Sequence, residues 1–531
     1  MKVVGQVLHE RVREHPRADF VVCDSERLTY ADAEGRSRVV ARGLLAEGVG
    51  KGSRVALLYP TGIPFVATWL AIARIGAVAV PISTFSKPDE LRVILAGSDA
   101  YVLLGVPEYR GNDYLSALQT ACTGLDLSSA GPILSPDAPS LRRVHLDGRV
   151  AGLHHDHSLD ALLRSSEGVD DEILDAVEAD VMPSDRMMIV YTSGSTSAPK
   201  GVIHEHGPLL HHLENLNRLR GLHAGAKLFS NSPMFWIGGA GYNIVGTLVA
   251  GSTLLCSTAL NPSDTLDFIE RERPELVNGF AQSIAHVVSD PTFSQRDFSS
   301  IRSGNLYAIM PDGLRPEDTE LRHNMLGTTE TGSVCLMSPD EGDQPERYRG
   351  SFGTPVPEFE ARVVDPDALV DCEVGKVGEL WLRSSLMMEG YYGRERSSAF
   401  TADEWYRTGD LFRTDDDGFF YFLGRRGDMI KTGGANVSPR EVEAVIRDAT
   451  GGLLPIVFGL PDPQRDQIVA AVIVADDDAS VDLDAVRDTL RARLSAYKVP
   501  RKILRMTPTE LPVLSSGKPD MRRLVEMLGG S

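Results

Sequence analysis

The spacing of apolar residues alternates between two periods in the first half of the chain. Residues 29–46 begin with a Thr-x-x-Asp capping box and continue with apolar residues at helical spacing. The apolar run at residues 54–59 predicts a buried strand, and the same alternation returns over residues 191–255. Such alternation predicts parallel sheets covered by helices. Residues 125–185 are richer in Ser, Asp and Pro and predict surface loops with short helices.

From about Phe352 the apolar pattern becomes short and alternating. Residues 360–364 and 378–382 predict antiparallel strands, and residues 411–423 predict a hairpin that turns at an Asp-Gly pair. Ser438 as N-cap, followed by proline and then by glutamate at the third position, predicts the start of a helix. The pattern therefore predicts an α/β fold whose C-terminal part differs in character from the rest.

Composition narrows the range of functions. The 531 residues exceed what one hydrophobic core usually organises, so at least two domains are expected. The net charge of −20 argues against a nucleic-acid partner and requires any ATP site to be locally positive. The five cysteines are scattered without a Cys-x-x-Cys pair, which argues against a disulfide framework or a zinc ribbon and fits a reducing compartment.

Hydrophobicity along the chain predicts no membrane segment. The first ten residues carry charge and lack a long apolar core, unlike a signal peptide. The apolar segment at residues 65–80 is interrupted by Arg74 and Gly76 and is too short to span a bilayer. We therefore expect a cytoplasmic protein without a transmembrane segment.

The most informative segment is a loop rich in hydroxyl side chains. Residues 191–201 read Tyr-Thr-Ser-Gly-Ser-Thr-Ser-Ala-Pro-Lys-Gly and follow a short apolar run that predicts a buried strand. Backbone N–H groups and hydroxyls in such a loop can converge on a polyphosphate, and Lys200 adds a point charge. The loop differs from the usual Gly-x-x-x-x-Gly-Lys phosphate loop because Pro199 precedes the lysine and Gly201 follows it.

Four further motifs accompany this loop along the chain. They are Leu-Gly-Thr-Thr-Glu at residues 326–330, Tyr-Arg-Thr-Gly-Asp at 406–410, Gly-Arg-Arg-Gly-Asp-Met-Ile-Lys at 424–431, and Leu-Ser-Ser-Gly-Lys at 514–518. In order and spacing, the five segments closely resemble those of the adenylate-forming acyl-CoA synthetases, and the resemblance covers nearly the whole chain.

The resemblance implies a two-step reaction. A carboxylic acid attacks the α-phosphorus of ATP to give an acyl-adenylate and pyrophosphate, and the thiol of CoA then displaces AMP. The implied cofactors are ATP, magnesium and CoA, and the implied setting is fatty acid and lipid metabolism. Because an anion must approach a polyanion in the first step, positioned cations and N–H groups are required.

The resemblance also implies the catalytic residues. Lys518 would bridge the substrate carboxylate and the α-phosphate, and Gly517 gives its loop backbone freedom. Thr329 would contact the α-phosphate. Glu330 would hold magnesium, a hard cation that prefers carboxylate and phosphate oxygens.

A larger set of residues is implied to contact ATP or CoA. Lys200 would hold the departing pyrophosphate, Asp410 would accept hydrogen bonds from both ribose hydroxyls, and Arg425 would add a second contact. Gly433 and Gly434 could let a pantetheine arm pass close to the backbone. The full set is Thr192, Ser193, Gly194, Ser195, Thr196, Lys200, Asn324, Leu326, Gly327, Thr328, Thr329, Asp410, Arg425, Lys431, Gly433 and Gly434.

The domain division follows from the same resemblance. Residues 1–424 would form the AMP- and acyl-binding domain, with parallel-rich sheets, covering helices and a small barrel-like β region. Residues 425–428 would form the hinge, with Asp428 at the pivot, and residues 429–531 would form a small mobile α+β lid.

Three places depart from the family, one near the acyl site and two where relatives hold adenine. Trp236 stands where many relatives carry a histidine, Leu326 replaces a stacking aromatic residue, and residues 303–307, ending in Tyr307, do not match the usual adenine loop. Beside Trp236, the glycines Gly238, Gly239 and Gly241 remove side-chain volume. That could make room for a branched, alicyclic or steroid-derived acid, or it could serve tight helix packing, and the sequence leaves both open.

Two histidine clusters offer a metal-binding alternative, because three nearby imidazole or carboxylate groups can bind zinc. The first cluster, at residues 154–157, lies in a polar stretch that predicts a surface loop. In the second cluster, at residues 204–206, His206 is interpreted as structural.

Two rival functions share most of these motifs. An adenylating enzyme could pass its acyl group to a carrier-protein phosphopantetheine instead of CoA, and a non-catalytic nucleotide-binding protein could keep the fold. The joint presence of Lys518, Glu330 and Asp410 argues against the second rival. A homodimer is compatible with the chain, but no sequence pattern indicates one.

Overall fold

The computed structural model describes residues 1–148, 150–192, 199–432, 435–462, 465–476, 481–494, 497–514 and 517–529. The chain divides into two compact units. The first comprises Met1–Arg349, Pro355–Phe359 and Ser384–Ala399, and the second comprises Gly350–Thr354, Glu360–Arg383 and Phe400–Ser531. The predicted hinge at residues 425–428 falls inside the second unit, and the division at that point stays a prediction.

The first unit contains a six-stranded sheet with five parallel strands. Its members alternate with helices in the sequence, which is why they pair in parallel through crossovers. In spatial order the strands are Ser303–Gly304, Leu276–Asn278, Lys227–Ser230, Thr253–Cys256, Asp19–Cys23 and the antiparallel edge strand Glu26–Thr29.

A seven-stranded mixed sheet forms the other framework of the first unit. In spatial order its strands are Gly390–Tyr391, Lys200–Glu205, Arg186–Thr192, Val78–Pro81, Arg54–Leu58, Val102–Gly105 and Arg143–Leu146. The last five are parallel neighbours, whereas Arg186–Thr192 pairs with Lys200–Glu205 as an antiparallel hairpin. The predicted phosphate loop therefore connects two paired strands.

Helices cover both sheets, as the alternating pattern predicts. Thr29 caps the second helix by accepting a hydrogen bond from the Asp32 N–H, which confirms the capping box. Within the described part of the first unit, the α-helices are Val4–Glu14, Tyr30–Ala46, Ile63–Arg74, Pro88–Gly97, Tyr114–Ala121, Leu159–Ser165, Asp171–Ala179, His206–Arg220, Gly246–Ala250, Pro262–Glu272 and Ala281–Ile284. Gly238–Val245 forms a π-helix.

The second unit is built mainly from antiparallel strands. Glu360–Val364, Gly378–Arg383, Tyr406–Thr414 and Phe420–Arg425 form one sheet. Ala435–Val437, Ile430–Thr432, Asp466–Val474, Leu454–Asp462 and Lys502–Met506 form another, and the helices are Pro439–Ala449, Leu483–Arg493 and Met521–Gly529.

The hairpin and the helix start predicted for this region are confirmed. The Ser438 side chain, however, does not cap its helix, because its hydroxyl donates to the Leu423 carbonyl of the neighbouring strand.

Across the described residues, no helix combines the length and the hydrophobicity needed to cross a bilayer.

Candidate active site

The antiparallel hairpin in the first unit holds both ends of the predicted phosphate loop. Lys200 lies opposite Thr192 in the register, and Gly201 lies opposite Tyr191. The Thr192 hydroxyl donates to the Lys200 carbonyl at 3.5 Å. Strand pairing thus fixes the two ends of the loop, while the predicted contacts Ser193, Gly194, Ser195 and Thr196 lie outside the described residues.

The turn that carries Thr329 and Glu330 is fixed by its own side chains. The buried Thr331 hydroxyl accepts from the Thr328 N–H at 3.0 Å and donates to the Ser333 carbonyl at 2.6 Å. The Gly332 N–H donates to the Thr329 carbonyl at 3.0 Å. Thr329 and Glu330 are therefore presented on a closed, hydrogen-bonded turn rather than on an open loop.

Tyr391 joins the glutamate and the lysine of the first unit. Its hydroxyl donates to Glu330 Oε1 at 2.8 Å, and Lys200 Nζ lies 4.9 Å from the centroid of its ring. Tyr391 pairs with Val202 in the sheet, and the Met388 N–H donates to the Glu330 carbonyl at 3.0 Å. One phenol thus sets the position of a carboxylate and of an ammonium group.

Tyr391 is not among the residues predicted from the sequence. It lies 61 residues from Glu330 in the chain. The only available signal was an aromatic pair after a glycine, which gives no indication of the strand pairing that brings the phenol to the carboxylate.

His204 lies in the strand beneath this group. Complete burial lowers its pKa to about 4, so the imidazole is neutral near pH 7. A Cβ atom added to Gly332 would lie 3.6 Å from the His204 ring. The imidazole therefore packs directly under the Thr329–Glu330 turn. His206 is also buried, and its Nδ1 accepts from the Val4 N–H at 3.3 Å, which agrees with a structural role.

In the second unit, Asp410 and Arg425 form an ion pair. They are register partners on adjacent strands, and Arg425 Nε lies 3.0 Å from Asp410 Oδ1. Asp410 is almost fully buried, whereas Arg425 is exposed. The Gly409 N–H before Asp410 donates to the buried carboxylate of Glu379 at 3.0 Å, a contact that sequence analysis also missed.

The other predicted residues of the second unit that the structure describes are exposed, Asp428 and Lys518 in turns and Lys431 in the strand Ile430–Thr432. Asp428 follows the strand of Arg425, and its N–H donates to the Arg425 carbonyl at 3.0 Å. Lys431 is exposed, and its N–H donates to Gln467 Oε1 at 2.8 Å. Lys518 is exposed in a turn in which its carbonyl accepts from the Leu514 N–H at 2.8 Å. Gly433 and Gly434 lie outside the described residues.

The structure accounts for two of the three glycines of this segment by close packing. A side chain on Gly239 would lie 2.1 Å from the Pro233 carbonyl oxygen, and one on Gly241 would lie 2.9 Å from the Gly332 carbonyl oxygen. Both glycines therefore serve close backbone packing, whereas the nearest atom to a side chain on Gly238 is 3.8 Å away, at Ser232 Oγ. The packing of Gly241 also ties the π-helix to the turn of Glu330.

The remaining predicted residues are partly buried or exposed at strand ends. Leu326 and Gly327 form a short strand that pairs with Val334–Met337. Asn324, Leu326, Thr328, Trp236 and Tyr307 are partly buried, and Gly327 is exposed. Burial raises the pKa of the Tyr307 phenol above its ordinary value.

One histidine cluster has ligand atoms close enough to hold a metal ion. Among the described residues this group is His154, His155 and Asp156, whose ligand atoms lie within 4.8 Å of one another. His154 Nδ1 already accepts from the Asp156 N–H at 3.3 Å, and His157 is buried with Nε2 3.0 Å from the Ser129 carbonyl oxygen. These contacts give the segment a structural role.

The chain is similar to known proteins over nearly its whole length. The family profile described as AMP-binding enzyme matches residues 8–392, and that described as AMP-binding enzyme C-terminal domain matches residues 441–518. The chain is 30% identical to a feruloyl-CoA synthase of Amycolatopsis sp over 96% of this chain and 95% of the relative. It is 27% identical to a mitochondrial medium-chain acyl-CoA ligase of Bos taurus over 99% of this chain and 88% of the relative.

A solved structure shares the fold. The anthranilate CoA ligase AuaEII, crystallised in complex with anthranoyl-AMP, superposes with a TM-score of 0.81 at 24% identity, covering 99% of this chain and 97% of that one. This likeness confirms the predicted α/β fold.

Proposed function

This chain belongs to the AMP-binding enzyme family, and on that premise we propose that it is an AMP-forming carboxylic acid–CoA ligase that uses ATP and magnesium. The observation that carries the proposal is the contact of Tyr391 with both Glu330 and Lys200. A carboxylate and an ammonium group held by one phenol, at the end of a hydroxyl-rich hairpin, suit a metal–polyphosphate ligand.

In the first step, a carboxylate oxygen of the acid forms a bond to the α-phosphorus of ATP. The bond between that phosphorus and the β-bridging oxygen breaks, and pyrophosphate leaves with the electron pair. Lys200 and the N–H groups of its loop stabilise the departing pyrophosphate, and Thr329 contacts the α-phosphate. Lys518 screens the repulsion between the two anions.

Magnesium fits the donor set of the first unit. Glu330 offers a carboxylate, and Thr328 and Thr329 of the same turn offer hydroxyls, which are the hard oxygen donors that this ion prefers. When bound, the ion neutralises charge that develops on the phosphate oxygens.

In the second step, the sulfur of CoA attacks the acyl carbon. The thiol proton is lost to solvent, the acyl–oxygen bond breaks, and AMP leaves. The Asp410 carboxylate would keep the ribose of AMP in place during this step, because one carboxylate can accept hydrogen bonds from two hydroxyls. Gly433 and Gly434 would let the pantetheine arm approach the backbone.

The test is pyrophosphate release with ATP and magnesium over a panel of carboxylic acids, with and without CoA. We expect multiple turnovers that require CoA and an acyl-CoA product identified by mass spectrometry. A single burst of pyrophosphate that CoA does not extend would contradict CoA as the acceptor and favour a carrier protein. No pyrophosphate release with any acid of a broad panel would contradict the assignment as a ligase.

A further inference from the structure

The six-stranded sheet has a topological switch point. The strands Lys227–Ser230 and Leu276–Asn278 are neighbours in this sheet. After Lys227–Ser230 the chain forms Thr253–Cys256 on one side of the pair, whereas after Leu276–Asn278 it forms Ser303–Gly304 on the other side. In open α/β sheets, connections that diverge in this way mark the place outside the carboxyl ends of the two strands where ligands bind in a crevice. Asn231 and the pair Gly279–Phe280 directly follow the two strands.

Two asparagine side chains hold the backbone at this switch point. Asn231 Nδ2 donates to the Phe280 carbonyl at 3.0 Å, and the Phe280 N–H donates to Asn231 Oδ1 at 2.9 Å. Asn305 Nδ2 donates to the Gly279 carbonyl at 2.9 Å, and the Gly279 N–H donates to Asn305 Oδ1 at 2.9 Å. We call Asn231 and Asn305 the amide clamp.

The clamp works as a substitute for strand pairing. A carboxamide offers a donor and an acceptor in one plane, as the backbone of a neighbouring strand does. Four hydrogen bonds therefore satisfy both backbone groups of Gly279 and of Phe280 just beyond the end of the sheet. A segment that would otherwise be an open loop is fixed on both sides.

Gly279 is the residue that lets the clamp close. Its φ is +155°, and a side chain there would lie 1.9 Å from Asn231 Oδ1. Any other residue at this position would therefore displace Asn231.

The clamp fixes the end of a row of aromatic rings. All three contacts in this row are edge-to-face. The distance between ring centroids is 5.4 Å for Phe280 and Trp236, 5.5 Å for Trp236 and Phe235, and 5.8 Å for Phe235 and Phe85. The two end members are well exposed, Phe280 at 46% and Phe85 at 43%. Between them Trp236 is partly buried and Phe235 is buried. We call these four residues the aromatic wall. A row of large apolar rings with exposed ends, beside a topological switch point, is suited to bind a ligand.

We infer that Asn231 and Asn305 are positioning residues for the acid, and that the aromatic wall they fix selects planar aromatic carboxylic acids over straight-chain acids. This inference rests on the proposed function. Ring–ring contacts depend on angle and offset, so a wall whose last ring is held by backbone hydrogen bonds favours a ligand with a matching ring. A flexible chain gains contact area from the same wall but no such geometric advantage.

The first test measures the wall without substrate. The fluorescence of Trp236 is isolated by subtracting the signal of Trp236→Phe, and its quenching by acrylamide is compared in the wild type and in Asn231→Ala. We expect the quenching constant to at least double in the variant. Asn305→Gly, which removes the other half of the clamp, should act in the same direction.

A matched control removes a comparable bond elsewhere in the unit. Asn261 Oδ1 accepts from the Ser263 N–H at 3.2 Å at the start of a helix, so Asn261→Ala loses a side-chain–backbone bond without touching the wall. Its quenching should equal that of the wild type. Unchanged quenching in both clamp variants would overturn the claim that the clamp fixes the wall.

The second test measures selection of the acid. In Asn231→Ala, the ratio of kcat/KM for benzoate to kcat/KM for octanoate should fall at least fivefold, through a higher KM for benzoate, while the KM for ATP stays within twofold. Asn231→Asp keeps the acceptor but not the donor, so its benzoate-to-octanoate ratio should lie between those of Asn231→Ala and the wild type. An unchanged ratio would overturn the role in selection.

A wild-type enzyme that releases no pyrophosphate with any acid of a broad panel would lead to a different conclusion. It would overturn the proposed function and, with it, the role in selecting the acid. The fluorescence measurement would still decide whether the clamp holds the wall.

Discussion

The two predicted nucleotide-contacting regions are assembled in opposite ways. In the first unit, Glu330, Lys200 and Tyr391 come from three distant segments and meet through one hydroxyl and one ring face. In the second unit, Asp410 and Arg425 are direct register partners in a single hairpin. The first arrangement depends on tertiary packing, whereas the second is fixed by local strand pairing.

The difference predicts different responses to substitution. A contact between distant segments is lost when any one of them shifts, so we expect changes in the first region to affect turnover. A pair within one hairpin keeps its backbone when a side chain is removed, so we expect changes in the second region to affect nucleotide binding alone.

The largest effect is expected at Lys518, which lies in an exposed turn outside both arrangements. Lys518→Ala should lower the rate of adenylation by about 1000-fold, because a positioned cation is lost from the step that joins two anions. The measurement is single-turnover pyrophosphate release, with ATP affinity from calorimetry staying within about threefold. Unchanged turnover would contradict the catalytic role.

Glu330→Gln should lower kcat by about 100-fold and raise the magnesium concentration needed for half-maximal activity. The amide keeps the shape of the side chain but loses the charge. Glu346→Gln, at an exposed carboxylate of the same unit, serves as the control and should leave both quantities unchanged. An unaltered magnesium requirement in Glu330→Gln would rule out Glu330 as the metal ligand.

Asp410→Asn should raise the KM for ATP by about tenfold while kcat changes little, because one hydrogen bond to a charged group is worth about 1.5–3 kcal/mol. Asp403→Asn, at an exposed aspartate of the same unit whose carboxylate accepts from Thr401, is the control. A loss confined to kcat would show that the ribose assignment of Asp410 is wrong.

Tyr391→Phe tests the long-range arrangement directly. The ring below Lys200 remains, but the bond to Glu330 is lost, and we expect kcat to fall by about tenfold. The neighbouring phenol of Tyr392 donates to Asp99 at 2.9 Å, so Tyr392→Phe is a matched control that should keep full activity. Equal activity of Tyr391→Phe and the wild type would remove the basis for the contrast between the two regions.

Acid pH should distinguish the units by stability. All 13 histidines precede residue 324, so the second unit contains none. Burial lowers the pKa of His204 to about 4, of His206 to about 4 and of His212 to about 3, from a usual value of 6.5. Between pH 6.5 and about pH 4 the unfolded chain therefore binds more protons than the folded one, and stability falls as pH falls.

We expect the thermal midpoint of the first unit to decrease over this pH range, as followed by calorimetry. Replacing His212 with leucine should reduce the pH dependence by one proton. A first unit whose midpoint is constant from pH 7 to pH 4 would contradict the neutral state of these histidines.

Local signals predict the elements of the fold well and their long-range contacts poorly. The Thr29 capping box and the Asp-Gly hairpin were predictable because their determinants lie within a few residues. The strand Arg143–Leu146 was missed in a region predicted as loops, because it is a short edge strand that depends on pairing with Val102–Gly105.

The same limit applies to the site. Glu330 and Asp410 were predicted through motif resemblance, but the contacts of Tyr391 and Glu379 with this region are created only by the folded chain. The Asn231 and Asn305 side chains give no sequence signal for a joint role, since 74 positions separate them and the bridging peptide comes from a third segment.

Arg425 links the position of the Asp410 carboxylate to the backbone of the predicted hinge. Its side chain pairs with Asp410, and its carbonyl accepts hydrogen bonds from the N–H groups of Asp428 and Met429. A backbone rotation at the predicted hinge would therefore pull on the residue that pairs with Asp410, the carboxylate predicted to hold the ribose. In an engineered variant, faster domain rotation and tighter retention of AMP could then not be selected independently, because both would depend on the same peptide.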